Sequence, residues 1–169
     1  MPASIVFMGV AGCGKSSLAA AVAADVGLPL VEGDDFHPPR NREKMSAGVP
    51  LTDADRVDWL ATLAGQLRAH PGGLVLTCSA LKRAYRDTLR AASPGLRFVF
   101  LDIPREGAQR RVAGRGSAHF FSADLVDSQF ATLESPVGEP GVLRVDALAP
   151  VADLRREVVA WLREPEDAS

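Results

Sequence analysis

Residues 9–16 read Gly-Val-Ala-Gly-Cys-Gly-Lys-Ser, and no other stretch constrains the chain as tightly. They match G-x-x-x-x-G-K-[ST], a loop whose backbone N–H groups cradle polyphosphate between a strand and a helix. The flanks suit that reading. Residues 4–8 form a short apolar run, readable as a buried strand. Residues 17–26 carry Ala19, Val22, Ala23 and Val26 at helical spacing. Glycines let the backbone wrap closely with its N–H groups inward. The helix start adds positive partial charge. The cradle is therefore expected from Gly9, Gly12, Cys13, Gly14 and Ser17, with Lys15 reaching the β- and γ-phosphates and the Ser16 hydroxyl on Mg²⁺. The loop says nucleotide and does not say what the nucleotide is for.

The rest of the composition narrows the setting. A length of 169 residues suits one domain spanning residues 1–169, and 47% hydrophobic with 24% charged residues is ordinary for a soluble globular chain. A net charge of −2 gives no electrostatic reason to expect nucleic acid or an anionic membrane as partner. No apolar run approaches the length of a membrane span. The first strand begins almost at once, which leaves no room for a signal peptide. Cys13 and Cys78 lack metal-ligand spacing and suggest no disulfide framework, which fits a reducing cytoplasm. Cys13 reads as a small residue of the loop that exposure would make oxidisable. A polar tail over 164–169 is expected to fray.

Four further apolar runs follow, at 30–32, 74–78, 98–101 and 142–145. Between them lie helical patterns: a weak one at 40–45, one after an N-cap at Thr52 with Asp55 three residues on, and one that Ser79 can cap, running to about Arg90. Others run over 104–115 and 122–133, and the last helix sets Leu154, Val158, Trp161 and Leu162 on one face. Strands alternating with helices imply an α/β domain with a five-stranded parallel sheet and right-handed crossovers. Ligands of such sheets lie beyond the strands' carboxyl ends. The loops after the first three strands then line one crevice: residues 9–16, Asp34-Asp35, and the stretch from Ser79 to Lys82.

That crevice holds the candidates for chemistry. Phosphoryl transfer needs a group to orient the acceptor hydroxyl and its proton, and help in holding Mg²⁺. Asp34 or Asp35 suits the first task, and Glu32 or Asp34 the second, through water. His37 either orders its loop or contacts substrate. Arg56 either pairs with Asp53 or Asp55, or offers its planar fork to a substrate carboxylate. Lys82 and Arg86, four apart on one helix face, either bind an anionic substrate or form a solvated face. Arg105, Arg110, Arg111 and Arg115, followed by a glycine break and His119-Phe120, resemble a mobile lid whose arginines stabilise charge over the γ-phosphate.

Taken together, these segments resemble the gluconate kinases of the shikimate-kinase and nucleoside-monophosphate-kinase-like group of P-loop NTPase folds. The resemblance rests on the loop at 9–16, on Glu32-Gly-Asp-Asp-Phe-His-Pro38, and on Asn41 with Lys44-Met45. It continues through Gly48-Val-Pro-Leu51, Asp53-Ala-Asp-Arg-Val-Asp-Trp-Leu60, Cys78-Ser-Ala-Leu-Lys82 and Tyr85-Arg-Asp87. His119-Phe120, Ser128-Gln129 and Leu133-Glu-Ser-Pro136 complete it, so it covers nearly the whole chain. It implies a three-layer fold with a small helical lid at about 115–135, and ATP-dependent phosphorylation of the 6-hydroxyl of D-gluconate. A related alternative is a kinase of another small anionic metabolite, such as shikimate or a nucleoside monophosphate. By resemblance Asp34 binds the acceptor hydroxyl and serves as base, and Arg56 holds the substrate carboxylate. His37, Lys82, Arg86 and Gln129 fall on the substrate side, Arg115 falls at the lid position, and Arg110 or Arg111 is the candidate to pack on adenine. A homodimer follows from the resemblance alone. Strand three ends in Thr77-Cys78 without the aspartate that often helps hold magnesium, and Asp102 after strand four is not taken as its replacement. A GTP-dependent switch is disfavoured: the only asparagine is Asn41, so no Asn-Lys-x-Asp segment exists, and D-x-x-G is absent.

Overall fold

The computed structural model describes residues 4–114 and 123–164. Its first strand, β1 (Ile5–Met8), turns through the phosphate loop into α1 (Lys15–Val26), which ends on Gly27 in the left-handed region. β2 (Leu30–Glu32) runs straight into a 3₁₀ turn, Gly33–Phe36, and α2 (Pro39–Ser46) follows. α3 (Asp53–Ala69) starts with the expected cap: Thr52 Oγ1 accepts from the Asp55 N–H, and the Asp55 carboxylate accepts from the Thr52 N–H. β3 (Val75–Thr77), α4 (Arg83–Ala92), β4 (Arg97–Asp102), α5 (Arg105–Gly114), α6 (Ala123–Thr132), β5 (Val142–Asp146) and α7 (Val151–Leu162) complete the order.

All five strands are parallel, in the order β2-β3-β1-β4-β5. Alternate side chains of β1 go to opposite faces, as the pleat requires. Ile5 and Phe7 join Leu18, Val22, Val112, Val126 and Val158 in one core, under α1, α5, α6 and α7. Val6 and Met8 join Trp59, Leu63, Leu67 and Leu89 in the other, under α3 and α4. A central strand buried on both faces has to be apolar at every position, hence its unbroken hydrophobic run. The register places Phe7, Thr77 and Glu32 side by side. The loops after β1, β2 and β3 therefore leave the sheet at one level, and the site forms there.

One boundary differs from expectation. α4 starts at Arg83, after Lys82, and not at Ser79. Ala80 takes a left-handed φ of 47°, which bends the chain away from a helix just after β3. The Arg83 N–H is satisfied from far off by Glu134 Oε1 at 2.9 Å. Cys13 and Cys78 are free and buried, so the exposure that would make Cys13 oxidisable is not found. No helix among the described residues is long and apolar enough to cross a membrane.

Candidate active site

The phosphate loop is held by steric fit. Gly12 has φ +83°, and a Cβ there would lie 2.9 Å from the Ala108 carbonyl oxygen. Arg111 braces the same turn, donating to the carbonyls of Gly12 at 3.2 Å and Cys13 at 3.1 Å, and to Ala147 at 2.9 Å. It thus ties the loop to the turn after β5. Lys15 Nζ folds back onto the carbonyls of Gly9 and Val10, at 3.1 and 3.3 Å. Ser16 and Ser17 sit exposed on the first turn of α1. The Ser16 hydroxyl donates to Glu32 Oε2 at 2.9 Å, and the Thr77 hydroxyl donates to the same oxygen at 2.8 Å.

Gly33 is the tightest point after β2. A Cβ on it would fall 2.1 Å from the Thr77 carbonyl oxygen, so only glycine lets the chain turn here against β3. Its N–H donates to Thr77 Oγ1 at 3.1 Å, and its carbonyl accepts from Trp59 Nε1 at 2.8 Å. Arg42 clamps the same turn from α2, donating to the carbonyls of Asp34, Asp35 and His37. The turn so fixed presents Asp34. Partial burial works to raise the Asp34 carboxyl, but the facing His37 ring and the charges of Lys15 and Arg42 outweigh it and hold the group below the ordinary 3.8. His37 Nε2 stands 3.6 Å from Asp34 Oδ1. The imidazole stacks on Trp59, centroids 4.1 Å apart and planes 18° from parallel. His37 packs into the turn and also lines the cleft, so its position is compatible with either role the sequence left open.

Lys15, Asp34, His37, Arg56, Ser79 and Gln129 line one cleft of about 480 Å³, counting its open mouth, with Trp59, Met45 and Leu51 as apolar wall. Arg56 is 8% exposed, and its guanidinium donates to Tyr85 Oη at 3.2 Å and lies over the Tyr85 ring. The carboxylates expected to neutralise it are occupied elsewhere. Asp55 pairs with Lys44 at 2.7 Å, and Asp53 takes Lys82 at 3.0 Å together with the Tyr85 hydroxyl. Among the described residues no carboxylate pairs with Arg56. Asp53 feels the Arg56 charge through the shared Tyr85 hydroxyl but makes no direct ion pair with it, so the guanidinium keeps donors for an arriving anion.

Gln129 reaches the cleft from α6, its Oε1 accepting from the Ala11 N–H at 2.6 Å. Lys82 does not line the cleft; it is tied to Asp53, which also accepts from the Tyr85 hydroxyl beside Arg56. Arg86 needs a correction. Its side chain is fully buried away from the cleft, donating to Glu139 at 2.6 and 3.0 Å and to the carbonyls of Ala80 and Glu134. With its donors spent on structure, Arg86 is a fastener between α4 and the segment after α6, not a substrate ligand. Arg115, His119 and Phe120 lie outside the described residues. Tyr85, Trp59 and Arg42 touch Arg56, the His37 ring and the Asp34 turn, contacts the sequence did not assign. An aromatic on an amphipathic helix reads as core, and only the tertiary contact reveals the brace.

Hard oxygen donors, Ser16 and Glu32, meet where the loop becomes a helix, and a Mg²⁺ ion that keeps most of its shell as water and phosphate oxygen fits such a pair. No group of three metal-ligating side chains forms among the described residues.

A phosphate loop on a parallel sheet, with a carboxylate and a buried arginine across a small cleft, defines a P-loop small-molecule kinase. Comparison agrees and is more specific. A family profile described as an AAA domain matches residues 5–140. A gluconokinase of Gluconobacter oxydans (strain 621H) is 46% identical over 147 residues, covering 85% of this chain and 82% of that one. A probable gluconokinase of Schizosaccharomyces pombe is 45% identical over 143 residues, 79% of this chain and 74% of the other. The crystal structure of a gluconokinase from Sinorhizobium meliloti 1021 superposes with a TM-score of 0.88 at 47% identity, over 95% of this chain and 91% of its own. The chain belongs to the gluconokinase family.

Proposed function

We propose that this protein transfers the γ-phosphoryl group of ATP to the 6-hydroxyl of D-gluconate, giving 6-phospho-D-gluconate and ADP. The observation that carries the reading is Arg56: a buried guanidinium without a carboxylate partner among the described residues, in the same cleft as Lys15 and Asp34. A sugar acid brings both things that cleft lacks, a carboxylate for Arg56 and an alcohol for Asp34. A bidentate Arg–carboxylate contact would also orient the chain so that its far hydroxyl meets the phosphate loop.

The phosphates lie against the loop N–H groups at Gly12 and Gly14, with Ser17 at the helix start; Gly9 and Cys13 spend their N–H groups on the Ser79 and Val10 carbonyls, at 3.3 and 3.2 Å, and shape the loop. Lys15 leaves the carbonyls of Gly9 and Val10 for the β- and γ-phosphates. Ser16, with Glu32 through water, would hold Mg²⁺, which when bound neutralises charge building on the phosphate oxygens. Asp34, kept ionised, orients the acceptor hydroxyl and takes its proton as the new O–P bond forms and the bond to ADP breaks. His37 and Gln129 flank the acceptor. Arg111, between the phosphate loop and the turn after β5, offers its face to adenine. Closure of a lid over about 115–135 brings Arg115 to the transferring group and excludes water. Buried free thiols at Cys13 and Cys78 suit a reducing cytoplasm, which belongs to the same proposal. A homodimer does too, and sedimentation of the purified protein tests it.

Arg56→Gln is the direct test. Loss of a charge-assisted contact worth about 1.5–3 kcal/mol raises the gluconate KM about 10- to 100-fold while leaving the ATP KM in place. An unchanged gluconate KM in a folded variant removes the reading's main support.

A further inference from the structure

What His37 shows to Asp34 depends on which ring nitrogen carries the proton. One neighbour fixes it. Asn41, in α2, is fully buried, and its Nδ2 lies 2.9 Å from the Asp55 carbonyl oxygen. A peptide carbonyl only accepts, so the amide atom facing it is the nitrogen; turning the amide over would set oxygen against oxygen. The orientation holds although Asn41 Oδ1 finds no hydrogen-bond partner among the described residues. The same Nδ2 lies 3.2 Å from His37 Nδ1. Its second proton points there, so His37 Nδ1 accepts. A neutral imidazole that accepts at Nδ1 carries its hydrogen at Nε2, and Nε2 is the atom facing Asp34 Oδ1 at 3.6 Å. The stack on Trp59, itself anchored to the Gly33 carbonyl, holds the ring plane.

We propose that Asn41 is a positioning residue for phosphoryl transfer: its amide locks His37 as the Nε2–H tautomer, so that an N–H and not a lone pair faces the Asp34 carboxylate. The proposal rests on Asp34 as the group that takes the hydroxyl proton. A lone pair at Nε2 would repel the carboxylate and turn it from the acceptor. An N–H there holds it aimed and ionised, and the contact shortens when the substrate closes the site. The relay runs from the Asp55 carbonyl, in the capped first turn of α3, through Asn41 and His37 to Asp34.

The experiment is a long-range ¹H–¹⁵N correlation spectrum of the full-length protein, with the His37 resonances assigned by His37→Gln. The expected pattern is the Nε2–H tautomer; a dominant Nδ1–H form or an even mixture overturns the proposal. Asn41→Leu keeps the branched four-atom shape and removes the donor. It is expected to abolish the tautomer preference and lower kcat about 10- to 100-fold, with the gluconate KM unchanged. A folded variant with parental kcat, or one that keeps the Nε2–H form, overturns it as well. If the leucine variant does not fold, Asn41→Ala takes its place with the same two readouts. The tautomer is read without turnover, so its failure is separate from a failure of Asp34 as base, which Asp34→Asn reports.

Discussion

Asp34 and Arg56 are the two residues whose surroundings make least sense without a substrate. Asp34 is held ionised in a turn clamped by Gly33 and Arg42, and general-base help of this kind contributes about 10²- to 10⁴-fold. Asp34→Asn is therefore expected to lower kcat by that range, measured by initial rates at a temperature where thermal unfolding shows the variant folded. Because His37, Lys15 and Arg42 depress the carboxyl, it remains ionised at every pH where the enzyme is assayed near neutrality. Both residues were legible in the sequence in different degrees. Asp34 follows a strand end beside a phosphate loop, which is a local pattern. Arg56 was ambiguous, because Asp53 and Asp55 stand three residues and one residue before it. Only the fold shows that Lys44, Lys82 and Tyr85 occupy those aspartates and leave the guanidinium to the cleft.

Elements place those residues, and here sequence reasoning was uneven. The strand–loop–helix start, the capping box of α3 and the amphipathic α7 depend on neighbours in the chain and were legible. The N-terminus of α4 was not, since its cap is Glu134, 51 positions away from Arg83. Arg86 was misplaced for the same reason: four-residue spacing from Lys82 suggests a shared face, while Glu139 lies 53 positions on. Arg86→Ala would leave Glu139 buried with Arg90 alone, and breaking a buried pair costs about 3–5 kcal/mol. The expected result is a clearly lower denaturation midpoint with gluconate and ATP KM values unchanged wherever the variant is folded; a substrate ligand would do the reverse. Gly33→Ala forces a Cβ against the Thr77 carbonyl, so either β2 or the Asp34 turn must shift. Its kcat is expected to fall even where circular dichroism shows the sheet intact.

At the scale of the whole molecule, several acids share one direction. The Tyr85 and Lys82 hydrogen bonds lower Asp53, and Lys44 holds Asp55 down to about 2. Asp34 and Glu139 are lowered against the effect of burial, Glu139 by Arg86 and Arg90. Each group binds its proton more readily unfolded than folded. Their stabilisation is complete above the ordinary values of 3.8 and 4.5 and is lost as pH falls through the depressed folded values. Melting temperature is expected to be level from neutrality to about pH 5 and to fall steeply toward pH 2; a rise on acidification would contradict this. The five-stranded parallel sheet was legible because strand and helix periods alternate cleanly along the chain, and the three layers came with the family resemblance; the strand order was not read from the sequence, and the convergence of Arg56, Asp34 and Lys15 exists only once the sheet is assembled. That convergence is the central claim, and the product of the reaction tests it most directly. The purified protein, incubated with ATP, Mg²⁺ and D-gluconate, is expected to give a single sugar-acid phosphate with phosphorus on the C6 oxygen by ³¹P–¹H correlation, and no product from shikimate or nucleoside monophosphates. Phosphorylation of either of those without gluconate, or of a gluconate hydroxyl other than the sixth, would contradict it.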